Sequence, residues 1–169
     1  MRLGEAALTG MLAAAAASAQ AVPFSIDPTE ACLAGASDMA GREAYVGASA
    51  EACIDTPDGL TTAGMGFCLG AERDYWNARL NGAYEALLAI EDTVAAELSG
   101  LGSAAPSPAE ALRAMERAWI AFRDAACGYE ISTWGGGTGG GPAGADCMMR
   151  LTARQALVLE GRLKVAVGP

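Results

Sequence analysis

Histidine is absent from the 169-residue chain. That absence removes Ser-His and Cys-His catalysis, and the common His-containing zinc and iron sites, at one stroke. Lysine occurs once, at Lys164, and Lys plus Arg number 11 against 20 Asp plus Glu, a formal charge of −9. So few cations leave no clustered positive charge for nucleic acid or an anionic membrane, and they favour a basic protein as partner. Aromatics make up only 6% of the residues. The 52% hydrophobic content is swollen by alanine, which buries little surface, so the core must come from Leu, Met and a few rings. No β-rich alternating run stands out, and no segment reaches the roughly 18 uninterrupted apolar residues of a membrane span.

What is present begins with an export signal. Residues 1–21 read as a signal peptide: Arg2 gives a weakly positive start, Leu8 to Ala17 is a short apolar run, and Ala17-Ser18-Ala19-Gln20-Ala21 offers two small-x-small cleavage patterns. The mature chain is expected to start near Gln20 or Val22, and its destination to be periplasmic or secreted. No cysteine adjoins the cleavage region, which speaks against a lipid anchor, and no membrane attachment is expected after cleavage. Residues 22–169 then form a single domain, with 22–52 a helical extension at its start.

Export changes the meaning of Cys32, Cys53, Cys68, Cys127 and Cys147. In an oxidising compartment such cysteines form disulfides, and an odd number leaves at least one over. None of them is arranged in the paired Cys-x-x-Cys knuckles that zinc would need without histidine, so neither a metal nor a cofactor is expected.

The periodicity of the mature chain is helical. Asp27-Pro28-Thr29-Glu30 reads as a helix start with Asp27 as the capping carboxylate, and it opens a small helical region ending near Cys53. Asp55 to Gly59 is a turn. Thr61 or Thr62 then caps a long helix to about Leu98, whose apolar face includes Met65, Leu69, Trp76, Leu80, Tyr84, Leu87 and Leu88. Ser107-Pro108-Ala109-Glu110 is a second start, with a Ser cap, Pro at the first helical position and Glu at the third. That helix carries a stripe of Leu112, Met115, Trp119 and Phe122 and runs to Cys127. Trp134 to Pro142, rich in glycine, reads as a flexible crossover before a last helix from about Ala145 to Leu163. The expected fold is a small all-α, disulfide-stabilised domain with two long antiparallel helices, a Gly-rich loop and a C-terminal helix. The Gly-rich stretch does not match a phosphate cradle: no strand precedes it, no Gly-Lys-Ser/Thr follows, and Asp146 sits where an anion would arrive.

Three stretches carry a family resemblance. They are Cys68-x3-Glu72-x3-Trp76-x3-Leu80-Asn81-x2-Tyr84, then Glu116-Arg117-Ala118-Trp119-Ile120-Ala121-Phe122-Arg123-Asp124-x2-Cys127, and Cys147-x4-Thr152-x-Arg154-x2-Leu157. In this order and spacing, over about Cys53 to Leu163, the chain resembles the lysozyme inhibitor LprI-like N-terminal domain family of exported helical domains. Unlike the lipoprotein members, it lacks a cysteine at the cleavage site. The resemblance implies a bacterial envelope location and two disulfides, Cys53–Cys68 and Cys127–Cys147. The first would tie the turn to the start of the long helix, and the second would close the Gly-rich loop. Cys32 would then remain unpaired, with Cys32–Cys53 as the rival pairing.

The motif residues also have ordinary physical jobs. Trp76 and Trp119 fall on apolar faces and read as core. Asn81 is placed to bond a loop backbone. Arg123 is expected to meet helix carbonyls or a carboxylate, with Arg154 doing the same across the core. Carboxylate pairs such as Glu91-Asp92 read as solvated helix exterior, so no enzyme activity is expected. Two functions stand: a binder or inhibitor of a basic lysozyme-type muramidase, or a non-enzymatic accessory module of the envelope. For the first, the expected contact element is the segment from Tyr129 to Asp146, with Tyr129 and Trp134 as aromatic anchors and Glu130 and Asp146 facing a positive surface.

Overall fold

Thr61 and Ser107 each cap a long helix, as their local sequence predicts. In the computed structural model, which describes residues 22–168, Thr61 Oγ1 accepts the Gly64 N–H at 2.9 Å and Ser107 Oγ accepts the Glu110 N–H at 3.3 Å. The proposed signal segment lies outside the described residues. Six helices follow one another: α1 (Asp27–Gly35), α2 (Met39–Ala44), α3 (Ala48–Ile54), α4 (Thr62–Gly100), α5 (Pro108–Ser132) and α6 (Gly140–Val167). The described residues contain no strand.

Helices α4, α5 and α6 form an up-down-up bundle. At one end Met65 and Leu69 of α4 lie beside Asp146 and Met149 of α6, and at the other Leu87 lies beside Leu159 and Arg162, so these two helices run parallel. Helix α5 runs against both, with Cys127 bonded to Cys147 and Glu116 to Gln155. The α4–α6 contact is the widest because α6 meets α4 with small residues, Ala153 and Ala156, that let the axes approach. Around them Trp76, Met149, Leu157 and Leu159 are fully buried. Arg79 on α4 grips Glu160 on α6 through Nε and Nη2 at 2.6 and 2.7 Å. Burial opposes the charge of Arg79, but Glu160 and the Tyr75 hydroxyl outweigh it and hold the guanidinium pKa above its ordinary value. At the end away from α3, an apolar groove of about 630 Å³ opens among Leu87, Leu112, Met115, Val158 and Val165.

The N-terminal helices are fastened to the bundle by one buried carboxyl. Glu72 accepts hydrogen bonds from Thr29 Oγ1 (3.0 Å), Gly47 N (2.8 Å), Ala50 N (2.7 Å) and Trp76 Nε1 (3.1 Å), and is completely buried. Two of those donors are backbone N–H groups at the start of α3, groups that a helix leaves unsatisfied. Gly47 reaches this position with φ +103°, a backbone that a side chain rarely adopts. Helix α1 begins differently from the expectation: Asp27 is its first residue, Ile26 is the cap residue, and no side chain caps it. The Asp27 N–H is taken instead by Ser25 Oγ at 3.1 Å.

The Gly-rich stretch holds the largest correction. Helix α5 continues past Cys127 to Ser132, and α6 starts at Gly140, five residues before Ala145. Only residues 133–139 remain as a turn, in which Gly135 and Gly136 take φ +56° and +84°. Other glycines permit close packing. A Cβ on Gly144 would lie 2.5 Å from Ile131 Cγ1, and one on Gly139 would overlap the Trp134 ring. Tertiary contact thus overrides the low helix propensity of glycine at the start of α6.

Candidate functional site

Trp134 stands half-exposed at the tip of the α5–α6 turn and forms one wall of a cleft of about 570 Å³. Gly139, bare of a side chain, lets the indole lie flat against the turn. Met65 and Leu69 from α4 and Met149 from α6 line the cleft, and Ile54 at the end of α3 lines it too. Both disulfides lie at this end of the bundle. Cys53–Cys68 joins α3 to α4 and Cys127–Cys147 joins α5 to α6, each closing a short loop of sequence. Constraining the chain in this way stabilises each junction by about 3 kcal/mol in the chain-entropy account.

The polar lining includes Glu51, Asp146 and Arg150. Arg150 Nε donates to both Asp146 carboxyl oxygens at 2.9 Å, one helical turn away, and Arg150 Nη1 donates to the Val46 carbonyl at 3.2 Å. Asp146 is therefore held in place by a cation that is itself anchored to the backbone after α2. Glu51 has no such ion pair among the described residues. An apolar floor, an aromatic wall and a net acidic lining suit contact with a side chain that has an apolar stem and a positive head.

The residues expected to bind do not all meet. Trp134 and Asp146 line this cleft. Tyr129 and Glu130 do not: both are in α5, Tyr129 strongly exposed and Glu130 half-buried. The segment from Tyr129 to Asp146 is therefore not one loop but a helix end, a short turn and a helix start. The contributions of Glu51, Met65 and Arg150 were not foreseen, since no local pattern in the chain links α3 to the start of α6.

The motif residues are placed as follows. Trp76 and Leu80 are buried, Tyr84 and Trp119 are half-buried against the core, and Thr152 is buried with no hydrogen-bond partner for its hydroxyl among the described residues. Arg123 lies over the Trp119 ring at 4.9 Å and bonds the neighbouring Asp124 at 2.7 Å. Two expectations need correction. Asn81 is exposed and bonds no loop backbone among the described residues, because α4 turns it away from the core. Arg154 does not cross the core; it is exposed and reaches Glu43 on α2 at 3.4 Å. Of the α5 stripe, Leu112 is buried, but Met115 is 41% exposed and Phe122 61%. Cys32 is unpaired and half-buried. Among the described residues there is no cluster able to hold a metal ion and no helix long and apolar enough to cross a membrane.

Comparison with known proteins places this geometry in context. The family described as Lysozyme inhibitor LprI matches residues 53–159, from the first disulfide through Trp134 to the buried part of α6. A protein of Rhodobacter capsulatus, described as an uncharacterized 17.7 kDa protein in the puhA 5′ region, is 30% identical over 137 residues, covering 80% of this chain and 85% of that protein. No solved structure matches the chain.

Proposed function

The chain belongs to the LprI lysozyme-inhibitor family, and we propose that it is an exported binder and inhibitor of a basic lysozyme-type muramidase, acting through the Trp134 cleft. Three features support this reading. The charge of −9 steers a basic protein toward the domain and speeds association at low salt. The two disulfides fit an oxidising compartment, in keeping with the signal peptide read in residues 1–21. The observation that carries most weight is the cleft itself, which offers an exposed tryptophan on a covalently pinned frame, with Glu51 and Asp146 on its lining. Aromatic anchors in such settings supply a disproportionate share of binding energy. The protein acts by occupying its target, with no reaction of its own.

The test is a lysis assay with purified, oxidised mature protein against several types of lysozyme, repeated across a salt series. Inhibition that weakens as salt rises, and that Trp134→Ala reduces by roughly tenfold or more, is the expected result. Absence of binding to every lysozyme tested at low salt would favour the accessory-module reading instead. Mass analysis of the exported product, expected to begin near Gln20 or Val22, tests the location.

A further inference from the structure

The solvent face of α5 is unusual for an outward-facing helix. Met115, Phe122 and Tyr129 recur every seven residues and are 41%, 61% and 72% exposed. Beside them lies a row spaced alternately by three and four: Ala111, Ala114, Ala118, Ala121, Ala125 and Gly128, all exposed. On the other flank Glu110, Arg117 and Asp124 recur at the same interval of seven, also exposed. A surface helix ordinarily turns charge to water along its outer face. This one turns a heptad seam outward, with an apolar flank on one side and charges of alternating sign on the other.

The flanking charges select the occupant. In an antiparallel pair of helices, each flank meets its own equivalent on the other helix, so a two-fold axis brings this charged row against itself. We propose that the face is the interface with a second copy of this chain, α5 packing antiparallel on α5 about an axis between Trp119 and Ile120. That register sets Ala118 against Ala121 of the partner subunit and Ala114 against Ala125 of the partner subunit. It also places Arg117 opposite Asp124 of the partner subunit and Met115 beside Phe122 of the partner subunit, each twice by symmetry. Arg117 makes no ion pair within the described residues of its own chain, so it is free to make this one. Alanine and glycine in the seam let the two axes approach to about 8 Å, the close end of helix packing. No α5 residue lines the Trp134 cleft, so pairing on this face leaves both clefts open.

Sedimentation of the oxidised mature protein over a concentration series tests the proposal, with circular dichroism and melting as controls for folding. A reversible monomer–dimer equilibrium is expected, abolished by Ala121→Glu with melting unchanged, because that position is exposed. Arg117→Asp is expected to weaken the dimer roughly tenfold or more by setting like charges opposite each other. Combining it with Asp124→Arg restores association, because the swap re-forms the same pairs in reverse; this outcome is specific to the antiparallel register. A protein that stays monomeric up to about 0.5 mM would overturn the proposal, as would a dimer indifferent to Ala121→Glu. So would a monomer whose lysozyme binding is lost in Ala121→Glu, which would assign the face to the target.

Discussion

Trp76 donates its indole N–H to Glu72, one helical turn earlier on α4, at 3.1 Å. The tryptophan supplies bulk to the core, while the carboxyl it holds gathers donors from α1 and from the start of α3. The Cys68, Glu72, Trp76, Leu80 row is thus one buried ridge that combines a disulfide, a polar node and apolar packing at successive turns. Substituting Glu72→Gln sets an amide donor among groups that are themselves donors. The expected cost is about 1–3 kcal/mol, read from urea unfolding with an unchanged slope. Trp76→Phe removes one donor and some volume and should cost less than Glu72→Ala, which leaves all four donors, Trp76 Nε1 included, without that acceptor.

Trp134 and the fold are separable. The side chain is 48% exposed, so Trp134→Ala is expected to lower stability by no more than about 1 kcal/mol while weakening lysozyme binding. Melting followed by circular dichroism and a binding titration on the same sample check both halves. A lost melting transition would instead make Trp134 part of the core.

Two glycines separate the turn from the helix crossing. Gly139→Ala pushes against the Trp134 ring, so tryptophan fluorescence should shift and cleft binding should fall while the fold persists. Gly144→Ala meets Ile131 beside the Cys127–Cys147 bridge, where neither helix is free to retreat. Its expected signature is a loss of about 1–3 kcal/mol in stability, as for overpacked sites.

Replacing Cys127 and Cys147 together by serine should cost about 3 kcal/mol, measured by chemical unfolding. The long α4–α6 contact has no part in that junction, so helical content should survive at room temperature. Complete loss of helix would mean that the bridge holds the whole bundle.

Much of this architecture was legible in the chain because helix starts are written locally. Thr61 and Ser107 cap as their neighbours dictate, and the 3.6-residue rows of α4 predict which side of it is buried. The Gly-rich stretch misled for a physical reason. Glycine lowers helix propensity, yet α6 starts at Gly140 and runs through Gly144, where only a residue without a side chain fits against Ile131. The α5 stripe is buried only in part for a related reason: helical spacing does not show how far round α5 its neighbours reach, so Phe122 faces water and Met115 lines the half-open groove beside Leu112 and Val158. The cleft was half visible. Trp134 and Asp146 share an element boundary, whereas Glu51 and Met65 lie 69 to 95 residues earlier in the chain, and no local pattern encodes that meeting.

Both disulfides sit at the same end of the bundle, and the opposite end, where residues 101–107 join α4 to α5, has none. The molecule is built like a pair of tongs welded at the pivot. Thermal opening therefore begins at the tips, around the groove beside Leu87 and Val165, and amide exchange should slow progressively toward Cys68 and Cys147. A partly opened molecule still presents its Trp134 cleft intact. Reducing agents invert that order, freeing the pivot while the tips stay packed. The redox state of its surroundings thus decides whether recognition or mere folding is the first thing this domain loses.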